Sequence, residues 1–406
     1  MEHFTFSSKT KRLTYILMAL GVIALVYGVV MSLGHGEEAH IAQTRLWTNI
    51  LINGFFFMGI AATATFFFAV NYAAESGWWV VIKRILEAIG SFLPVGALIL
   101  FIVLIAGVAH QHHIYHWMDA SVLDESSDHF DEILAGKSSY LNWIFMAIRQ
   151  LVIFGSWYFM WTRFRKRSLE EDLGYDRSRH FKNVRDSAIF LIIFGYPIST
   201  FVPWDWIMSI DAHWFSTLFG WYVFSGLWLS SLVVVTLMVI WLKGQGYMKE
   251  INGSHIQDLG KWVFGVSFLW SYLFFSQFML IWYSNIPEEV TYFQVRFEEY
   301  KILYWSMFFV NFVFPMIALM DRDKKRNYGF LTVVGVVIFI GHWVDTYMLV
   351  TPATMKTHSH LGLFEIGLAL GFLGLFLFVV LNTLTKAPLM ARNHPFFDES
   401  AHHEIH

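Results

Sequence analysis

Ten stretches of this 406-residue chain are apolar over a length that crosses a lipid bilayer, and they leave room for little else. A hydrocarbon core ~30 Å thick is crossed by about 20 residues of helix. Runs of that order lie at 13–33, 46–74, 85–109, 140–161, 187–209, 214–242, 261–284, 300–320, 328–350 and 361–384. No water is present in hydrocarbon to satisfy backbone N–H and C=O groups, so an isolated apolar run of this kind must be helical. Charged residues make up 15% of the chain, against roughly 25% in a soluble domain, too few to cover a water-soluble fold. The expectation is an all-α polytopic membrane protein, one integral membrane domain over 1–406.

Lysine and arginine test the count independently, because positive charge is retained on the cytoplasmic side. One alternating set of tails and loops holds Lys9, Lys11 and Arg12; Lys83 and Arg84; eight cations between Arg163 and Arg185; Lys243, Lys249 and Lys261; the four from Arg322 to Arg326; and Lys386 and Arg392. The opposite set holds Arg45, Lys137, Arg296, Lys301 and Lys356, and Arg149 falls inside a run. An odd number of spans would scramble this segregation. Both termini are therefore expected in the cytoplasm, with 385–406 a cytoplasmic tail. The first run follows Lys9, Lys11 and Arg12 but has no small-x-small cleavage site and reads as a retained helix.

An offset of four spans preserves orientation, so 46–209 and 214–350 are read as two parallel four-helix bundles, with the first and last spans at their flanks. The outer loops are acidic and His-rich, notably Asp119 to Glu132 and Pro287 to Glu299. Such loops either dock extramembrane proteins or are simply solvated. The basic stretch 162–186 suits topology and contact with anionic lipid. A net charge of −3 points away from nucleic acid.

Cysteine is absent, which removes disulfides, thiolate-held clusters and C-x-x-C-H haem attachment. Only His342 lies well inside a run, so no pair of facing histidines is available for haem. His112 and His116, at i and i+4 beside His110 and His113, have the spacing of a metal site, although an exposed His-rich helix end explains them as well. His402, His403 and His406 read as a disordered tail. No cofactor, no metal and no catalytic residue are assigned to this chain.

A charge inside a bilayer costs at least ~2.5 kcal/mol, so each one needs a partner or a purpose. In GHWVDTYMLVTP, His342 and Asp345 are three residues apart on one helical face. The last run returns through HSHLGLFEIG, and a rise of ~1.5 Å per residue sets Glu365 level with Asp345. These three groups form either a proton relay or a hydrogen-bonded knot that fixes packing. Arg149 needs an acceptor, for which Asp205 is placed, with Asn53 and Gln277 as neutral contacts; an ion pair and a proton-path gate are both open. Glu87 pairs with Lys83 or Arg84 or marks an inner entry point, and Asp211 joins the acidic candidates.

The stretch PWDWIMSIDAHWFSTLFGWYVFSG, Pro203 to Gly226, together with GHWVDTYMLVTP, Gly341 to Pro352, resembles the large membrane subunits of alternative complex III, a bacterial quinol:cytochrome c oxidoreductase. These belong to the NrfD/polysulfide-reductase membrane-anchor family. The resemblance spans essentially all ten runs, and the length near 400 residues looks most like the ActF type. It implies a bacterial inner membrane, iron–sulfur clusters and c-type haems in partner subunits, a homologous membrane subunit alongside and a terminal oxidase beyond. It also implies proton conduction by this subunit, with the quinol site on the homologous one. The alternatives are that this chain itself binds quinol, with His342, Asp345 or Glu365 taking its protons, or that it only anchors partners.

Overall fold

The computed structural model describes residues 2–174, 176–358 and 361–405. Among these the chain is helical, with one isolated β-bridge between His3 and Pro388. Ten helical spans are long and apolar enough to cross a membrane: span 1 Ser8–Ser32, span 2 Glu37–Ala73, span 3 Val80–Val108, span 4 Trp143–Glu171, span 5 Arg177–Trp206, span 6 Phe219–Gly244, span 7 Gly253–Ser284, span 8 Lys301–Ala318, span 9 Tyr328–His358 and span 10 Leu363–Leu384. The protein is thus an all-α, multi-pass membrane protein.

Where the chain re-enters a helix, short polar side chains take up the first free N–H groups. Asn142 accepts from Phe145 N at 2.8 Å, Asp176 from Ser178 N at 2.9 Å and Asn327 from Phe330 N at 3.0 Å. Spans 5 and 9 each carry a proline well inside a continuous helix, which removes the hydrogen bond to the carbonyl four residues earlier. In span 5, Pro197 frees the carbonyl of Ile193, and Trp157 donates its indole N–H to it at 3.1 Å. In span 9, Pro352 frees the carbonyl of Met348, which accepts from Arg296 Nη2 at 3.1 Å. Span 5 also breaks at Thr200 (φ −132°, ψ −91°) before resuming over Phe201–Trp206.

Spans 2 to 5 close a ring in which each touches its sequence neighbours and span 5 returns to span 2. Spans 6 to 9 repeat this order contact for contact, and the rings meet along spans 2 and 6. Span 2 is correspondingly buried along most of its length, with Leu51, Phe55, Phe56 and Ile60 wholly enclosed. Spans 1 and 10 pack chiefly against each other, so closely that a Cβ at Gly21 would overlap the backbone of Gly371. Small residues here let two helices approach where lipid gives them no hydrophobic reason to associate.

The termini lie on one face, which also carries the loops rich in Lys and Arg; we call it the basic face. The tail, expected to be disordered, is instead folded along it, and His406 lies outside the described residues. Asn393 Nδ2 donates to Asp172 O, Ser400 Oγ donates to Trp78 O, and His403 Nε2 meets Asp258 at 2.7 Å. The tail therefore touches both rings. Its anchors are largely backbone groups, which polar composition does not reveal.

Candidate functional site

The charged groups of the first ring are arranged in ion pairs. Arg149, on span 4, donates Nε to Asp205 Oδ2 at 2.8 Å and Nη2 to Oδ1 at 2.7 Å, the two-point geometry that a planar guanidinium favours. Tyr140 O–H donates to Oδ1 at 3.0 Å, and the Gln150 amide donates through Nε2 to Oδ2. The guanidinium lies 4.1 Å and 4.5 Å from the ring centroids of Tyr140 and Phe145. The neutral contact is thus Gln150, not Asn53 or Gln277: Asn53 Oδ1 accepts from Trp343 Nε1 at 2.9 Å, and Gln277 belongs to the second ring.

At the basic face Glu87 accepts from Arg84 at 3.3 Å and Arg165 at 2.5 Å, and from Ser168 Oγ. Lys83, expected as its alternative partner, pairs with Glu171, and Arg84 reaches Asp172 at 2.7 Å. Burial pushes the Asp172 carboxyl up, against the opposing pull of Arg84. Lys83 and Arg84 are almost wholly buried. A network with this many oppositely charged members holds spans 3 and 4 together.

The second ring encloses a different environment. Asp345, 4% exposed, accepts from Tyr222 O–H at Oδ1 and from Trp270 Nε1 at Oδ2, 3.0 Å away. His342 Nδ1 stands 3.6 Å from Oδ2, and its ring meets Trp270 edge-to-face at 5.2 Å. Among the described residues no Lys or Arg pairs with Asp345. Several polar atoms nearby, all nine-tenths or more buried residues, have no hydrogen-bond partner there: both ring nitrogens of His342, both amide atoms of Asn311 and Gln277 Oε1. Asn311 sits in a π-helical turn, Phe309–Val313, and its amide lies against Gly341, where a Cβ would overlap Oδ1. Such turns recur at functional sites.

Of the expected trio, His342 and Asp345 come together and Glu365 does not. Glu365 is taken by Arg45, which donates Nε to Oε1 at 2.6 Å and Nη2 to Oε2 at 2.8 Å, and its Oε2 also accepts from Gly362 N at 2.9 Å. The reason is the start of span 2: the helix begins at Glu37, not near 46, so Arg45 is a helical residue facing span 10. A guanidinium within reach outweighs any sharing of a proton between two carboxylates. Asp211 is exposed at the end of a short 3-10 turn, away from both rings' interiors.

Span 3 ends at Val108, so His112 and His116 share no helical face. His112 turns inward, with Nε2 2.9 Å from Val103 O, and burial lowers its pKa; His116 is exposed. Among the described residues no group of three or more His, Asp or Glu is placed to hold a metal.

A narrow cavity lies beside Asp345, lined by Tyr222, Gln277, Tyr292, Arg296, Tyr304 and apolar neighbours. It has room for about one water molecule and none for an aromatic ring. Sequence reasoning missed Tyr222 and Trp270, because neutral aromatic donors are common in membrane spans and carry no mark of their partner. In comparison with known proteins, no family model matches this chain and no curated protein matches it.

Proposed function

We propose that this chain is a membrane subunit, without redox cofactors of its own, of a bacterial quinol:cytochrome c oxidoreductase of the alternative complex III type, and that its second ring conducts protons. The motifs Pro203 to Gly226 and Gly341 to Pro352 support the assignment, and both contribute to the site: Tyr222 comes from the first, His342 and Asp345 from the second. On this reading the basic face is cytoplasmic, as the distribution of Lys and Arg favours. Iron–sulfur and c-type haem subunits, with a homologous membrane subunit, are the partners, and a terminal oxidase receives the electrons.

The observation that carries the reading is Asp345, a buried carboxyl held by neutral donors beside an imidazole with no hydrogen-bond partner among the described residues. A carboxylate locked to a guanidinium must break an ion pair to accept a proton. Asp345 has no such pair to break among the described residues, and the His342 imidazole, a side-chain type that can both give and take a proton, stands 3.6 Å from it. The cavity favours conduction over quinol binding beside Asp345, because it is too narrow for a quinone ring.

The test is purification of the affinity-tagged chain from its native membranes. A haem c absorbance in the co-purified material is expected, and quinol oxidation in liposomes should move protons across the membrane. Asp345→Asn should reduce the protons moved per quinol while leaving assembly and quinol affinity unchanged. Absence of any haem-bearing partner, or unaltered proton movement in Asp345→Asn, would overturn the proposal.

A further inference from the structure

The cavity beside Asp345 joins the Tyr222 hydrogen bond to two observations that the reading above does not use. Its wall includes Gln277, 3% exposed, whose Oε1 has no hydrogen-bond partner among the described residues. Its inner end is Tyr222, whose hydroxyl already donates to Asp345 Oδ1. Its other wall is the short helix Pro287–Glu298, on the face opposite the termini, which contributes Tyr292 and Arg296. Arg296 is 4% exposed and has no carboxylate partner among the described residues; it is held by the carbonyls of Tyr292 at 2.7 Å, Met348 at 3.1 Å and Leu349 at 3.4 Å.

A cavity of one water's size with several polar side chains among its apolar lining and a buried acceptor on its wall is where an internal water binds. We propose that this cavity holds water on Gln277 Oε1, and that Tyr222 passes protons between Asp345 and that water, making this the outer leg of the proton path. The assignment rests on the conduction reading and adds its route. Outward transfer is a displacement at the Tyr222 oxygen. With Asp345 protonated, its O–H proton passes to the Tyr222 oxygen as the tyrosine's own proton passes to the water. One O–H bond forms and one breaks at Tyr222, one proton leaves the carboxyl, and the water, protonated in turn, gives a proton to solvent on the face opposite the termini. Asp345 is then ionised and accepts from the Tyr222 hydroxyl, through the same hydrogen bond that joins the two side chains in the structure. Arg296, fixed beside the water by three carbonyls, repels a proton resting there, so the water relays protons but does not store them.

The same complex in liposomes provides the test. Tyr222→Phe keeps the ring and removes the hydroxyl, and should lower proton movement per quinol several-fold. Gln277→Leu removes the acceptor and makes that wall apolar and should do the same, whereas Gln277→Ser, which keeps a polar group and leaves room for a second water, should retain conduction. A purely packing role for Gln277 predicts the reverse order, with the cavity-forming Ser the worse variant. Preserved conduction in Gln277→Leu, or Ser below Leu, overturns the proposal, and this pair decides even where Tyr222→Phe lowers assembly. If Asp345→Asn abolishes proton movement but Tyr222→Phe and Gln277→Leu do not, the route is wrong and the conduction reading survives. If Asp345→Asn also changes nothing, both fail.

Discussion

The last span of each four-span ring carries a buried carboxylate beyond its basic-face end, Asp205 on span 5 and Asp345 on span 9, and the two are surrounded differently. Asp205 is gripped at both oxygens by Arg149 and further bound by Gln150 and Tyr140. Asp345 has a phenol and an indole, with an imidazole nearby. Both rings also meet a proline on that span, and they solve it with opposite chemistry. The neutral indole of Trp157 covers the freed carbonyl in the first ring, and the charged Arg296 covers it in the second. In one ring, then, the cation sits on the acid and a neutral donor on the backbone; in the other the assignment is exchanged. The exchange leaves Asp345 without a cation and puts positive charge across a small cavity from it.

The largest effect that tests this contrast is expected at Arg149. Arg149→Met strands the Asp205 carboxylate in a buried site, and removal of one partner from such a pair costs about 3–5 kcal/mol. Thermal unfolding of the purified protein should show the loss, and adding Asp205→Leu should recover most of it. A single-variant loss no larger than that of the double variant would mean the pair is not what holds spans 4 and 5.

Asp345→Asn should cost far less stability. The amide keeps the carbonyl oxygen that accepts from Tyr222 and forfeits at most one hydrogen bond, about 1–2 kcal/mol. Unfolding measured beside Arg149→Met gives the comparison directly. Equal losses at the two sites would erase the distinction between a clamped carboxylate and one free to change its protonation.

The smallest effect concerns what joins the rings at the basic face. His394 is buried against Tyr72 and His180, and burial, aided by the positive charge of Lys83, holds its pKa down to about 2 from the ordinary 6.5. A released tail takes up a proton near 6.5 and a seated one does not. The seat is therefore fully stable above pH 6.5 and loses at most ~1.4 kcal/mol for each unit below it. Limited proteolysis of the tail should accelerate between pH 6.5 and 5, and His394→Phe should flatten that dependence. Unchanged pH dependence in His394→Phe would place the sensitivity elsewhere.

Much of this was legible in the sequence, for reasons that differ by residue. The spans announce themselves because hydrocarbon tolerates little else than an apolar helix. Arg149 and Asp205 could be matched because a guanidinium within a span demands an acceptor, and few acidic residues lie at its depth. Glu365 was misassigned because a hydropathy boundary near 46 made Arg45 a loop residue, although its helix starts at Glu37. The partners of Asp345 were not legible: Tyr222 and Trp270 lie on spans 6 and 7, and nothing in their surroundings distinguishes them from aromatics that merely pack.

The glycine contact between spans 1 and 10 has a consequence for how the chain is made. A membrane protein is synthesised from its N-terminus, and domains assemble as their parts emerge. Span 1 finds span 2 at once, but the face carrying Gly21 and Gly28 waits until nearly the whole chain has been translated, because Gly371 and Phe364 belong to the last span. Until then that face rests against lipid. Closing it has to wait for span 10, so a ribosome that stops short of span 10 releases a protein with both rings built and its first helix still half unpaired.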